Sequence, residues 1–152
     1  MRGIADALQS MTATLWVGGM WAIGFIVAPV LFATLPDRTL AGLLAGKLFS
    51  LIAWIGIACA VYLIVYRLVR HGTGALRQGL FWIVLLMLVL AVGGEFGVQP
   101  VLAALKEQAL PKQVMASVFR DRFATWHGVA SGLYVIQSLL GAALVILLGR
   151  GK

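Results

Sequence analysis

Only one acid lies inside an apolar run of this chain: Glu95, with uncharged residues at 79–94 before it and 96–105 after it. A carboxylate at bilayer depth costs about 2.5–3.5 kcal/mol on insertion scales, so its presence calls for a partner. The candidate partners open the last apolar run, at Arg120, Arg122 and His127. If the third run travels outward and the fourth inward, Glu95 and His127 reach similar depth below the outer surface. A carboxylate and an imidazole there could share a proton, bind a cation or hold a polar ligand. Gln99, four residues after Glu95, and Arg122 complete the candidate ligand-binding set. The competing reading is a purely structural bridge from Glu95 to Arg120, Arg122 or Lys47 that joins helices and does no chemistry.

Glu95 and His127 are also the candidate metal pair. His127 with Met20, Met87 or Met115 would suit soft Cu(I), which favours thioether ligands, but no Met-x-x-Met or His-x-x-x-His spacing accompanies them. Bis-histidine haem needs a second axial histidine at membrane depth, and the only other one, His71, lies in the opposite basic link. Haem is therefore disfavoured and the cofactor is left unassigned. The single cysteine, Cys59, allows neither a disulfide nor a two-cysteine metal site within one chain and reads as packing. No Ser-His-Asp series, phosphate loop or second membrane acid is present, so enzymatic activity has no positive support.

These residues need a membrane scaffold to hold them. The 152 residues are 62% hydrophobic and 11% charged, with a mean hydropathy of +1.01, against about a quarter charged in soluble domains. Four stretches can cross a core about 30 Å thick: residues 11–35, 48–66, 79–104 and 123–148. The prediction is an all-α, single-domain, four-span membrane bundle. An amphipathic extramembrane helical segment over residues 101–118, with a turn at Leu110 and Pro111, joins spans three and four. The first run is too long for a signal peptide, whose apolar region covers about 7–15 residues. Asp6 and Ser10 read as helix caps, Pro29 predicts a bend in span one, and the five tryptophans, Trp16 among them, read as belt anchors. Ala124, Gly128 and Gly132 form a small-residue ridge along which close helix packing is expected.

The net charge of +7 is dispersed at span ends, which favours lipid headgroups over nucleic acid. Arg67, Arg70, His71 and Arg77 crowd the link between spans two and three, and Arg150 and Lys152 end the chain. The positive-inside rule then puts both termini in the cytoplasm. Residues 25–31 match residues 96–102 at five of seven positions, offset by 71. A duplicated hairpin, 11–66 and 79–148, would explain the match, as would chance agreement around a proline.

Leu15-Trp16-Val17-Gly18-Gly19, Pro29, Leu35-Pro36-Asp37-Arg38, Gly46-Lys47-Leu48-Phe49, Glu95 with Pro100, and Phe123 followed by Trp126-His127-Gly128 together resemble the domain of unknown function 4149 family. That group contains small four-helix membrane proteins of the transmembrane protein 205 kind. The resemblance covers most of the chain. It implies a four-span bacterial inner-membrane protein with an association to metal-drug and copper resistance. A more distant similarity joins the first span to copper-resistance D proteins and HemJ-type oxidases. In those oxidases a histidine that helps hold haem stands near the place of Gln9. Members of the nearer family often carry asparagine where Tyr134 stands. The expected function is a non-enzymatic membrane protein, self-associating or bound to a partner membrane protein, whose Glu95–His127 site binds or passes a small cation or metal species. Two alternatives stay open: a haem- or quinone-linked redox protein, and a structural partner subunit without ligand.

Overall fold

The computed structural model describes residues 2–109 and 116–150, with side chains described at residues 3–105 and 121–150. Among these residues every element is helical. Helix α1 (Arg2–Trp21), a π-helical turn (Ala22–Val27) and α2 (Ala28–Thr34) form the first span. Helix α3 (Arg38–His71) forms the second, and a 3-10 turn (Gly72–Arg77) leads to the third, made of α4 (Gly79–Gly93), a second π-helical turn (Gly94–Val98) and α5 (Gln99–Ala109). Helix α6 (Ala116–Arg150) is the fourth. All four are long and apolar enough to cross a membrane. The chain is an all-α four-helix multi-pass membrane protein.

Three expected boundaries move. Asp6 and Ser10 do not cap a helix, because α1 already begins at Arg2 and Asp6 accepts from the Tyr66 hydroxyl at 2.7 Å. Span two is one helix through Thr39–Lys47, started by Asp37, whose Oδ1 accepts from the backbone N–H of Thr39 (2.8 Å) and Leu40 (3.3 Å). It ends at Gly72, whose φ of +56° is cheap only without a Cβ. Asp37→Ala should lower stability by about 1 kcal/mol, the usual loss of an N-cap; an unchanged thermal midpoint in detergent would show that the cap is idle. The expected turn at Leu110 and Pro111 and the side chain of Arg120 lie outside the described residues.

The bend predicted at Pro29 has a specific form. A proline brings no N–H, and its ring collides with the carbonyl four residues back. The chain responds by widening to i→i−5 bonding ahead of the ring: the Ala28 N–H donates to the Ile23 carbonyl. Ahead of Pro100 the same thing happens, the Gln99 N–H donating to the Gly94 carbonyl. Both bonds and both prolines are related by the offset of 71 that relates the two sequence segments.

The helices close a ring in chain order, with α3 between α1 and α4, and α6 between α4 and α1. Short connections make sequential helices antiparallel neighbours. The core runs through Trp16, Met20, Ile52, Leu63, Val84, Met87 and Leu144. Trp16 does not anchor in the interface as expected. It is 1% exposed, and its indole lies flush against Gly56. Cys59 packs into the same core, as its neighbours in sequence suggest. The ridge of Ala124, Gly128 and Gly132 is exposed, and a Cβ on either glycine would meet nothing within 4 Å, so the expected close packing along it is not made among the described residues.

Candidate functional site

Each π-helical turn faces a different kind of neighbour. In the first, Gly24 leaves room for the ring of Tyr134 from α6, and the tyrosine hydroxyl donates to the Met20 carbonyl. Phe25 and Phe49 meet the same ring edge-on, with centroids at 6.5 Å and 5.0 Å. That turn is filled. The residue 71 positions after Gly24 is Glu95, and the ring contact on this second turn is made one residue later, by Phe96 edge-on to Trp54 of α3 with centroids at 5.5 Å.

Glu95 is half-buried on the second turn, which packs against both α3 and α6. Its Oε1 accepts from the Ser50 hydroxyl of α3. Its Oε2 is buried and has no hydrogen-bond partner among the described residues. An ionised carboxylate can only accept, so this oxygen lacks any donor in an environment where an unmet polar atom is expensive. One backbone carbonyl in the same turn, that of Glu95 or Phe96, also loses its helical donor because Pro100 has none to offer. The oxygens shown together here are the Glu95 carboxylate and the Ser50 hydroxyl.

The other expected site residues are placed differently. His127 is exposed and stacks on Phe123 one turn earlier, with centroids 5.8 Å apart and planes 10° from parallel. Arg122 is exposed as well. Gln99 is half-buried and makes no side-chain hydrogen bond among the described residues. The structure therefore does not bring Glu95 into hydrogen-bond or ion-pair contact with His127, Arg122 or Lys47. Among the described residues no group of three His, Cys, Asp or Glu side chains could together hold a metal ion.

Ser50 was not a sequence candidate. A lone serine in an apolar helix usually returns its proton to its own backbone one turn back. Only the packing of α3 against the π-helical turn turns that hydroxyl outward to Glu95. The signal that could have pointed to it is its place three residues after Lys47, on the α3 face that leads down from the polar end.

The domain of unknown function DUF4149 matches residues 11–111, which includes Ser50, Glu95 and both π-helical turns and stops short of α6. Searches of curated proteins and of solved structures find no match.

Proposed function

The chain belongs to the domain of unknown function 4149 family, and from that premise we propose that it binds or passes a small cation at Glu95, in a bacterial plasma membrane with both termini cytoplasmic. The observation that carries the proposal is the buried Glu95 Oε2 without a donor. A carboxylate in a span is stable when something positive or a proton meets it. No described side chain supplies that charge, and a cation or proton from solution is the source this reading assigns. An all-oxygen donor set suits a proton or a hard cation and does not suit Cu(I). This moves the metal reading away from His127 as a primary ligand. His127 and Arg122, exposed on the opening turns of α6, then form the outer approach to the site, and tolerance to a metal salt is the phenotype in which such passage would appear.

A hydrophobic carbodiimide tests this directly, since it adds to carboxyl groups that hold a proton in an apolar setting. In liposomes the full chain should be labelled at Glu95 in preference to Asp6, Asp37 and Asp121, and Glu95→Gln should bring labelling at that position to background. Protection by Na⁺, K⁺ or Mg²⁺ identifies a metal cation as the ligand, and protection by alkaline pH alone identifies a proton. Ser50→Ala, which leaves the carboxylate but removes its one donor, should still label with altered protection. Labelling of the three aspartates with Glu95 untouched would end the proposal.

A further inference from the structure

The opposite end of the bundle holds a second polar cluster, and its unmet atoms are donors. Gln9 on α1 is 8% exposed, and its Nε2 is buried without a partner among the described residues. Arg67 on α3 gives Nη1 to the Gln78 side-chain oxygen, while its Nε is buried without a partner among the described residues. Gln78 is the residue that starts α4, so this bond holds the guanidinium beside the first turn of that helix, which has no side-chain cap.

Register brings Gln9 to the same place. Trp16 packs on Gly56 and Asp6 accepts from Tyr66, which sets α1 antiparallel to α3 with Gln9 beside Leu63. Arg67 follows Leu63 by one turn on the same face, and Leu63 is fully buried. Both side chains continue the core-facing stripes of their helices: Ala13, Trp16 and Met20 follow Gln9 on α1, and Ala60 and Leu63 precede Arg67 on α3. Asp6, which the same register sets beside Tyr66, is exposed and accepts from the Tyr66 hydroxyl.

We propose that Arg67, Gln9 and the uncapped start of α4 form a binding site for a phosphate group, presented by an anionic phospholipid headgroup or as the free ion. Buried donors without acceptors call for an acceptor-only ligand. A guanidinium binds phosphate oxygens through parallel N–H donors, and a helix start adds backbone N–H groups and a positive dipole end. Arg70, His71 and Arg77 around the rim raise the local concentration of anions. The site stands apart from Glu95 by most of the length of the bundle, and its fate does not depend on the cation reading.

The full chain is reconstituted in phosphatidylcholine alone, in equal parts phosphatidylcholine and phosphatidylglycerol, and in phosphatidylcholine with inorganic phosphate in the buffer. Native mass spectrometry reads retained lipid, and thermal unfolding reads the stabilisation. Wild type should retain phosphatidylglycerol and melt higher in its presence, and Arg67→Met should weaken retention roughly tenfold or more. Stabilisation by inorganic phosphate in pure phosphatidylcholine assigns the free ion, and stabilisation by phosphatidylglycerol alone assigns the headgroup. Gln9→Leu separates a site from a packing flaw. In a site it removes the preference for the anionic lipid. As a flaw it raises stability equally in every membrane and leaves that preference intact. The second pattern, or a wild type indifferent to both phosphate sources, overturns the proposal.

Discussion

Trp16→Ala should cost about 3–5 kcal/mol of stability, the range for emptying a buried aromatic site, and is expected to leave little folded protein in detergent. The indole is 1% exposed and stands at the centre of the cluster formed by Val17, Met20, Ile52 and Cys59. Its fit depends on the absence of a side chain opposite. A Cβ on Gly56 would lie 2.9 Å from Cε2 and 3.0 Å from Cδ1 of the indole, and closer still to Nε1. Gly56→Ala should therefore cost about 1–3 kcal/mol as overpacking. Reducing the ring should return part of that loss, so Gly56→Ala with Trp16→Phe should be less destabilised than the two single losses added together. Denaturant titration in micelles followed by fluorescence gives all three values. A neutral Gly56→Ala would mean that α1 and α3 do not meet at this point.

Gly24→Ala should be nearly as damaging, for a reason that includes a hydrogen bond. The new methyl would sit 2.9 Å from both Cζ and Oη of Tyr134 and nearer to Cε1. The ring must leave, taking its hydroxyl from the Met20 carbonyl and its edge contacts from Phe25 and Phe49. Overpacking and a buried acceptor left bare together cost about 2–5 kcal/mol. Tyr134→Phe should lose only the hydrogen-bond share, about 1–3 kcal/mol. With Tyr134→Leu in the background, Gly24→Ala should become mild. Additive losses in that pair would show that the glycine and the tyrosine do not share the space.

The two π-helical turns give these numbers a functional setting. Such turns occur often at functional sites because they widen a helix and release backbone groups from the ladder. Here one turn is closed by Tyr134, and its counterpart carries a carboxylate met on one side only. The same local distortion serves as a packing joint in span one and offers polar atoms in span three.

Much of this was legible along the chain. Four apolar runs, their punctuation by charge, and Pro29 and Pro100 are local properties, and hydrocarbon leaves the backbone between them no choice except helix. Glu95 stood out because an acid is costly wherever its helix goes. Its partner was another matter. Arg120, Arg122 and His127 are attractive by charge, but His127 stacks on Phe123 and Arg122 faces outward. Trp16 reads as a belt residue by type and is a core residue by position, since only the register between α1 and α3 puts a glycine opposite it.

The sequence by itself determined that this protein crosses the membrane four times, that its first span bends at Pro29, and that one acid, Glu95, lies inside an apolar run, because those features depend on hydropathy and on proline covalent geometry. Tertiary structure alone decided that Ser50 meets Glu95, that Tyr134 closes the first π-helical turn, and that Gln9 and Arg67 point donors into one end of the bundle. The reason is geometric: an apolar helix carries no mark of which face turns toward which neighbour when lipid is as apolar as the core, and that choice is made by the fit of side chains such as Trp16 into gaps such as Gly56.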